Sequence, residues 1–144
     1  MPLIFKNIAK NIGMKLWSEE DYFNQLSINE YQSGQGITSH IDSHSSFEEL
    51  IATISLYSSA SMDFKDEGGT IHNLFLPPRS LLILEDEGRH EWMHSIPRRK
   101  YDKFNGEVRS RRQRVTLTFR RLRNPPCTCQ WPRMCDSQNK EIAV

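Results

Sequence analysis

The 144-residue sequence contains no apolar run near the ~18 residues a membrane-spanning helix needs, so no helical span is expected. Its opening stretch, MPLIFKNIAKNIGMKLW, lacks the pattern of a cleavable signal, because lysines are scattered through it. Cysteine is scarce: Cys127, Cys129 and Cys135 are the only three, crowded into the C-terminal tail. An odd count at such close spacing argues against a disulfide framework and for a reduced, intracellular setting, the cytoplasm foremost. Net charge is nearly absent at +1, so nothing global demands a nucleic acid or a membrane. Repeats and low-complexity segments are missing too, and helical periodicity is confined to residues 3–15.

At this length the chain is expected to form one domain with a real core. Ile4, Ile8, Ile12 and Leu16 mark the short amphipathic helix. After it the pattern turns to strands: LSINEYQ, IATISLYS, ASMDFK, TIHNLFLP, SLLILE, EWMHSI and RVTLTFRRLR, with a turn at EGG. Seven or eight short strands with little helix predict a mainly β domain, a sandwich or jelly roll. Residues 98 to 123 hold eleven Lys and Arg against two acids, Asp102 and Glu107. A solvated face and a polyanion surface are both open readings of that run. The final SQNKEIAV reads as a frayed tail.

Chemistry concentrates in HIDSH, residues 40 to 44. Side chains of an extended segment alternate, so His40 and Asp42 lie on one side. Two histidines and one carboxylate on one face of an octahedron are the ligand set of non-haem Fe(II) oxygenases, with the remaining positions open. His94, on a predicted strand with apolar neighbours, is the candidate third ligand. RVTLTFR strengthens the reading: Arg114, Thr116, Thr118 and Arg120 share one strand face, opposite Val115, Leu117 and Phe119. Two permanent cations on a face are costly to bury without an anion, and a dicarboxylate reaching from metal to arginine would supply one. An exposed basic strand face is the competing reading. Asn29 and Tyr31 also share a face, and both can donate hydrogen bonds to a carboxylate.

Together NEYQSGQGITSHID, WMHSI and RVTLTFR resemble the AlkB family of Fe(II)- and 2-oxoglutarate-dependent dioxygenases, over residues 29 to 120. The resemblance implies a double-stranded β-helix core, with His40, Asp42 and His94 on iron. It implies Arg114 on the distal carboxylate of 2-oxoglutarate, assisted by Tyr31, and Asn29 and Arg120 at the end that chelates the metal. Thr116 departs from the asparagine of bacterial members, although a hydroxyl can keep the hydrogen bond. The implied reaction couples decarboxylation of 2-oxoglutarate to oxidation of a substrate C–H bond.

Three thiols in PPCTCQWPRMCDSQ suit a structural zinc, but a closed site wants four ligands, and three ordinary reduced cysteines are the alternative. HIDSHSSFEE, SMDFK, LPPRSLLIL and CTCQWPRMCDSQ are similar to the AlkB branch that acts on wobble uridines of tRNA. That resemblance implies His44 as the fourth zinc ligand with Cys127, Cys129 and Cys135, in a tail of about 124–137. It implies hydroxylation of 5-methoxycarbonylmethyluridine, with tRNA and a methyltransferase of the same pathway as partners. Alternatives are oxidative demethylation of alkylated nucleic acid or protein, and a remnant that binds metal or RNA without turnover. With 28 residues before Asn29, the nucleotide-gripping lid of the family is expected to be shortened or lost. The arginine-rich segment could compensate through phosphate contacts. His72 and His90 have no such partners and are expected to be surface or ordinary structural residues.

Overall fold

The computed structural model describes residues 1–19 and 21–139. Among them, one helix, α1 (Leu3–Trp17), precedes ten strands, with a second short helix between the sixth and seventh. Strands β1 (Gln25–Tyr31), β10 (Arg114–Leu122), β3 (Phe47–Leu56) and β6 (Leu81–Leu84) form the major sheet in that spatial order. The minor sheet runs β2 (Ile37–His40), β7 (Met93–Ile96), β4 (Ala60–Lys65), β5 (Ile71–Leu76). Every pairing is antiparallel, and the two sheets enclose the expected jelly roll. Strands β8 (Tyr101–Phe104) and β9 (Glu107–Ser110) make a separate hairpin, and α2 (Asp86–His90) leads into β7.

Alternation assigns each face of the major sheet. Leu50 and Ala52 on β3, with Leu117 and Phe119 on β10, point outward and meet Phe23 and the Ala9–Ile12 face of α1 in one core cluster. The inward face meets the minor sheet in a second cluster that includes Ile51, Met62, Phe64 and Ile96. Phe119 is fully buried, and sealing a ring of that size stabilises by roughly 1.5–3 kcal/mol. The helix differs in phase from the sequence expectation. Ile8 and Ile12 face the sheet beside Phe5, Ala9 and Gly13, whereas Ile4 is 66% and Leu16 43% exposed. A spacing of four outruns the 3.6-residue turn, so a line of every fourth residue winds off the buried face. A left-handed Ser18, φ 57°, ends the helix with its N–H on the Gly13 and Met14 carbonyls.

Four elements exceed the expectation. β2, β8 and β9 are strands that the sequence pattern did not reveal, as α2 is a helix. The basic stretch is therefore a hairpin, turned by Asn105 and Gly106 at φ 49° and 83°, the left-handed pair a two-residue turn demands. Gly36 immediately precedes β2, where the chain grazes β7: a Cβ there would lie 2.0 Å from the Ile96 carbonyl oxygen. The tail turns back on itself through Asn139, whose N–H bonds the Cys135 carbonyl at 2.9 Å, and residues 140–144 lie outside the described residues.

Candidate metal and co-substrate site

Antiparallel register sets His40, near the end of β2, directly opposite His94 on β7, and opposed residues share a face. Their ring centroids are 4.4 Å apart. Asp42 follows two residues beyond His40, and ligand atoms of His40, Asp42 and His94 all lie within 4.8 Å of one another. Nδ1–H of His40 donates to the Thr38 carbonyl at 2.9 Å, which fixes the ring and makes Nε2 its candidate ligand atom. Burial, helped by the neighbouring His40, lowers the His94 pKa to about 4, so this imidazole is neutral at physiological pH. Arg120 Nη2 holds the Asp42 carboxylate at 3.0 Å. The donor set is thus two imidazoles and an oriented carboxylate, which suits a divalent metal.

A cavity opens beside this trio, lined by Asn29, Tyr31, Arg114, Thr116, Thr118 and Arg120 among others. The polar face of β10 therefore points inward, which sets aside the competing reading of an exposed basic strand face. Arg114 is 3% exposed and gives Nη2 to Ser55 Oγ at 2.8 Å. Its Nε and Nη1 are buried with no hydrogen-bond partner among the described residues. Burial lowers its pKa to about 10, with Tyr31 opposing, so it stays cationic at neutral pH. Tyr31 lies across the guanidinium, 5.7 Å from ring centre to Cζ. Burying a bare cation costs several kcal/mol, and two aimed donors fit a carboxylate at this end of the cavity. Arg120 is tied to protein partners on the cavity wall. Besides Asp42 it bonds Ser27 Oγ at 3.1 Å and Gln25 Oε1 at 3.5 Å, leaving Nε for any cavity occupant. Asn29 stands opposite Thr116 across the β1–β10 pair, on the cavity wall.

A second cluster lies behind the first. His44, Cys129 and Cys135 bring ligand atoms within 4.8 Å of one another, and Cys127 Sγ is 3.8 Å from Cys135 Sγ. All four residues are buried. Burial, then the charge of Arg89, brings the His44 pKa down to about 4, so it too is a neutral donor. Burial raises the Cys129 thiol to about 11, while at Cys135 hydrogen bonds from Ser137 and Gln138 outweigh burial and bring it to about 7. One nitrogen and three sulfurs in a dry cluster are a set that could hold tetrahedral zinc. Asp136 ties this tail to the His40–His44 segment, accepting from Ser43 Oγ and Ser45 Oγ at 2.6 Å each and from Ser45 N–H at 2.9 Å.

Sequence reasoning missed two residues between the clusters. His90, expected to be an ordinary or surface histidine, is fully buried: it lies flat on Trp131 at 4.2 Å and edge-on to His44 at 4.8 Å. Arg89, 1% exposed, reaches the segment between Asp42 and β3. No spacing rule flags either residue, since both come from a short polar helix. His72, half exposed, stacks on Trp92 at 5.1 Å and bonds Asp66 at 3.1 Å, in keeping with a surface role.

Comparison with known proteins agrees with this geometry. Residues 1–120 match the model of the 2OG-Fe(II) oxygenase superfamily. The chain is 39% identical over 148 residues to tRNA (carboxymethyluridine(34)-5-O)-methyltransferase ALKBH8 of Macaca fascicularis, covering 89% of this chain and 22% of that protein. It is 40% identical over 135 residues to the alkylated DNA repair protein ALKBH8 homolog of Arabidopsis thaliana, covering 81% and 39%. The chain thus spans well under half the length of either relative. Among solved structures, OsALKBH1 superposes with TM-score 0.55 at 20% identity, over 84% of this chain and 66% of that one. A Pseudomonas putida prolyl-4-hydroxylase gives 0.50 at 15%, over 79% and 59%. These two likenesses concern the fold, whereas the family match reaches from α1 through Arg120 and takes in both histidines, Asp42 and Arg114. The chain belongs to the 2OG-Fe(II) oxygenase superfamily.

Proposed function

We propose that residues 1–144 form a single dioxygenase domain that hydroxylates 5-methoxycarbonylmethyluridine at the wobble position of tRNA. The observation that carries the reading is the trio His40, Asp42 and His94 on the wall of a cavity that also takes in the partly unsatisfied guanidinium of Arg114. His40 and His94 give nitrogen donors to Fe(II), and Arg120 holds the Asp42 carboxylate in place. Arg114 receives the distal carboxylate of 2-oxoglutarate, with Tyr31 beside it and Asn29 and Arg120 nearer the metal. Bound iron and 2-oxoglutarate supply oxygen activation: one oxygen atom leaves in succinate, CO2 is lost, and the other oxygen enters a C–H bond. His44, Cys127, Cys129 and Cys135 hold zinc and staple the tail to the iron-bearing segment.

The substrate choice rests on the Macaca fascicularis relative, whose name makes it a methyltransferase of carboxymethyluridine 34 in tRNA. The β8–β9 hairpin supports it, since Arg98, Lys100, Lys103 and Arg112 stand exposed on and beside it where phosphates could reach. The test incubates the protein with Fe(II), 2-oxoglutarate, air and tRNA bearing the methyl ester, then weighs the nucleosides. A gain of one oxygen, absent with His94→Ala, is expected. The Arabidopsis relative's name, an alkylated DNA repair protein, favours demethylation as the second reading. Loss of a methyl group with release of formaldehyde would establish that one instead. Failure to bind 2-oxoglutarate at all would sink both and leave a non-catalytic metal- or RNA-binding domain.

A further inference from the structure

We propose that Arg89 is a positioning residue for the iron site, an inference that rests on the reading of His40, Asp42 and His94 as iron ligands. Its guanidinium is buried, and among the described residues its hydrogen bonds end on backbone carbonyls of one short stretch. Nη1 donates to the Asp42 carbonyl at 2.7 Å, and Nη2 donates to the Ser43 carbonyl at 3.0 Å and the Phe47 carbonyl at 3.4 Å. Residues 41–46 carry Asp42 from His40 to β3 outside both sheets. The Ser43 carbonyl also accepts from Phe47 N–H at 3.3 Å and the Phe47 carbonyl from Arg123 Nε at 3.2 Å, while the Asp42 carbonyl takes its donor from Arg89. A planar fork with fixed donor directions can gather several carbonyls at once, which a lysine ammonium on a flexible stem does less well.

Position along the chain gives Arg89 its consequence. It belongs to α2, which feeds directly into β7 and His94. The element that delivers the third ligand is thereby bolted to the segment that delivers the other two. Asp42 is held at both ends: Arg89 fixes its carbonyl, and Arg120 fixes its carboxylate. A metal-ligating carboxylate needs its own backbone fixed to within a fraction of an ångström, and partners of this kind typically govern metal affinity by 10–100-fold. The buried cation costs desolvation, opposed by the fields of Asp42 and Glu49, and an apolar residue would fill the space without that cost. What an apolar residue cannot supply is the set of converging donors.

The test titrates Mn(II), an oxygen-stable stand-in for Fe(II), into wild type, Arg89→Met and Arg89→Lys, reading free ion by electron paramagnetic resonance. The anaerobic charge-transfer absorption of Fe(II) with 2-oxoglutarate is recorded alongside. Arg89→Met, folded by circular dichroism at the assay temperature, is expected to bind Mn(II) about tenfold or more weakly. Arg89→Lys should fall between it and wild type, and both variants should show a weakened or displaced absorption. A folded Arg89→Met with wild-type Mn(II) affinity and absorption overturns the proposal. Should Arg89→Met fail to fold, Arg89→Lys decides: affinity equal to wild type overturns it, and a several-fold loss upholds it. If wild type itself binds no Mn(II), the iron reading fails rather than the role of Arg89.

Discussion

Arg114 keeps a full charge where only 3% of its surface meets solvent, with two of its nitrogens unpaired. A co-substrate carboxylate that completes such a group gains most of the desolvation already spent on it. Arg114→Met should therefore weaken 2-oxoglutarate binding to the Mn(II)-loaded protein by about 2–5 kcal/mol, or roughly 30- to several-thousand-fold. Calorimetric titration measures this, and Mn(II) affinity itself should hardly change, because Arg114 is not one of the metal-ligating trio. Arg114 was legible in the sequence because period-2 alternation is a strong constraint: Arg114, Thr116, Thr118 and Arg120 had to share a face. Which face was inward followed once Leu117 and Phe119 claimed the other for α1. Arg89 and His90 were not legible. A buried arginine whose partners are backbone carbonyls leaves no complementary residue type in the sequence to search for.

The β8–β9 hairpin shows the same division at the scale of an element. Its Asn105-Gly106 turn is the strongest short hairpin signal there is, yet the surrounding arginines resembled a solvated loop. The structure gives the hairpin an anchor. Asp102, 3% exposed, accepts from Arg111 Nε at 2.6 Å and Nη2 at 2.7 Å, from Arg99 Nε at 2.8 Å and from Ser61 N–H at 3.1 Å. Phe104 stacks on Phe75 of β5 at 4.8 Å. Asp102→Asn would leave Arg111 buried without its counter-charge, and should cost about 3–5 kcal/mol in chemical denaturation. Burial pushes the Asp102 carboxyl up, but the bonds from Arg111, Arg99 and Ser61 together hold it below the usual range. Its stabilisation is then complete above the unfolded pKa of about 3.9 and is lost as pH falls through the lower folded value. The gap between wild type and Asp102→Asn should accordingly close on acidification below about pH 4.

For the whole molecule, the two ligand clusters divide HIDSH between them, and metal analysis can separate them. Elemental analysis should find one tightly held zinc that survives His40→Ala and disappears in Cys127→Ala, with a lower thermal midpoint in the latter. If both substitutions emptied the same site, the two-metal reading would be wrong. The sheet architecture followed from strand pattern and length. The packing of the tail against the His40–His44 segment did not, because it depends on Asp136 capping Ser43 and Ser45, contacts between residues more than 90 positions apart and of types common in any loop.

β10 lies at the centre of the major sheet, its register joining Tyr31 to Arg114 and Gln25 to Arg120 on one side and Val115 to Leu56 on the other. It also supplies Leu117 and Phe119 to the outward core and Arg114 to the cavity wall. During synthesis, β1 and β3 emerge well before the strand that separates them, on the order of ten seconds earlier at ordinary elongation rates. For that interval both strands carry an open edge, the outward cluster lacks Leu117 and Phe119, and the cavity lacks Arg114. The nascent chain is therefore most prone to aggregation just before β10 arrives, and its folding belongs with the slow, long-range β topologies.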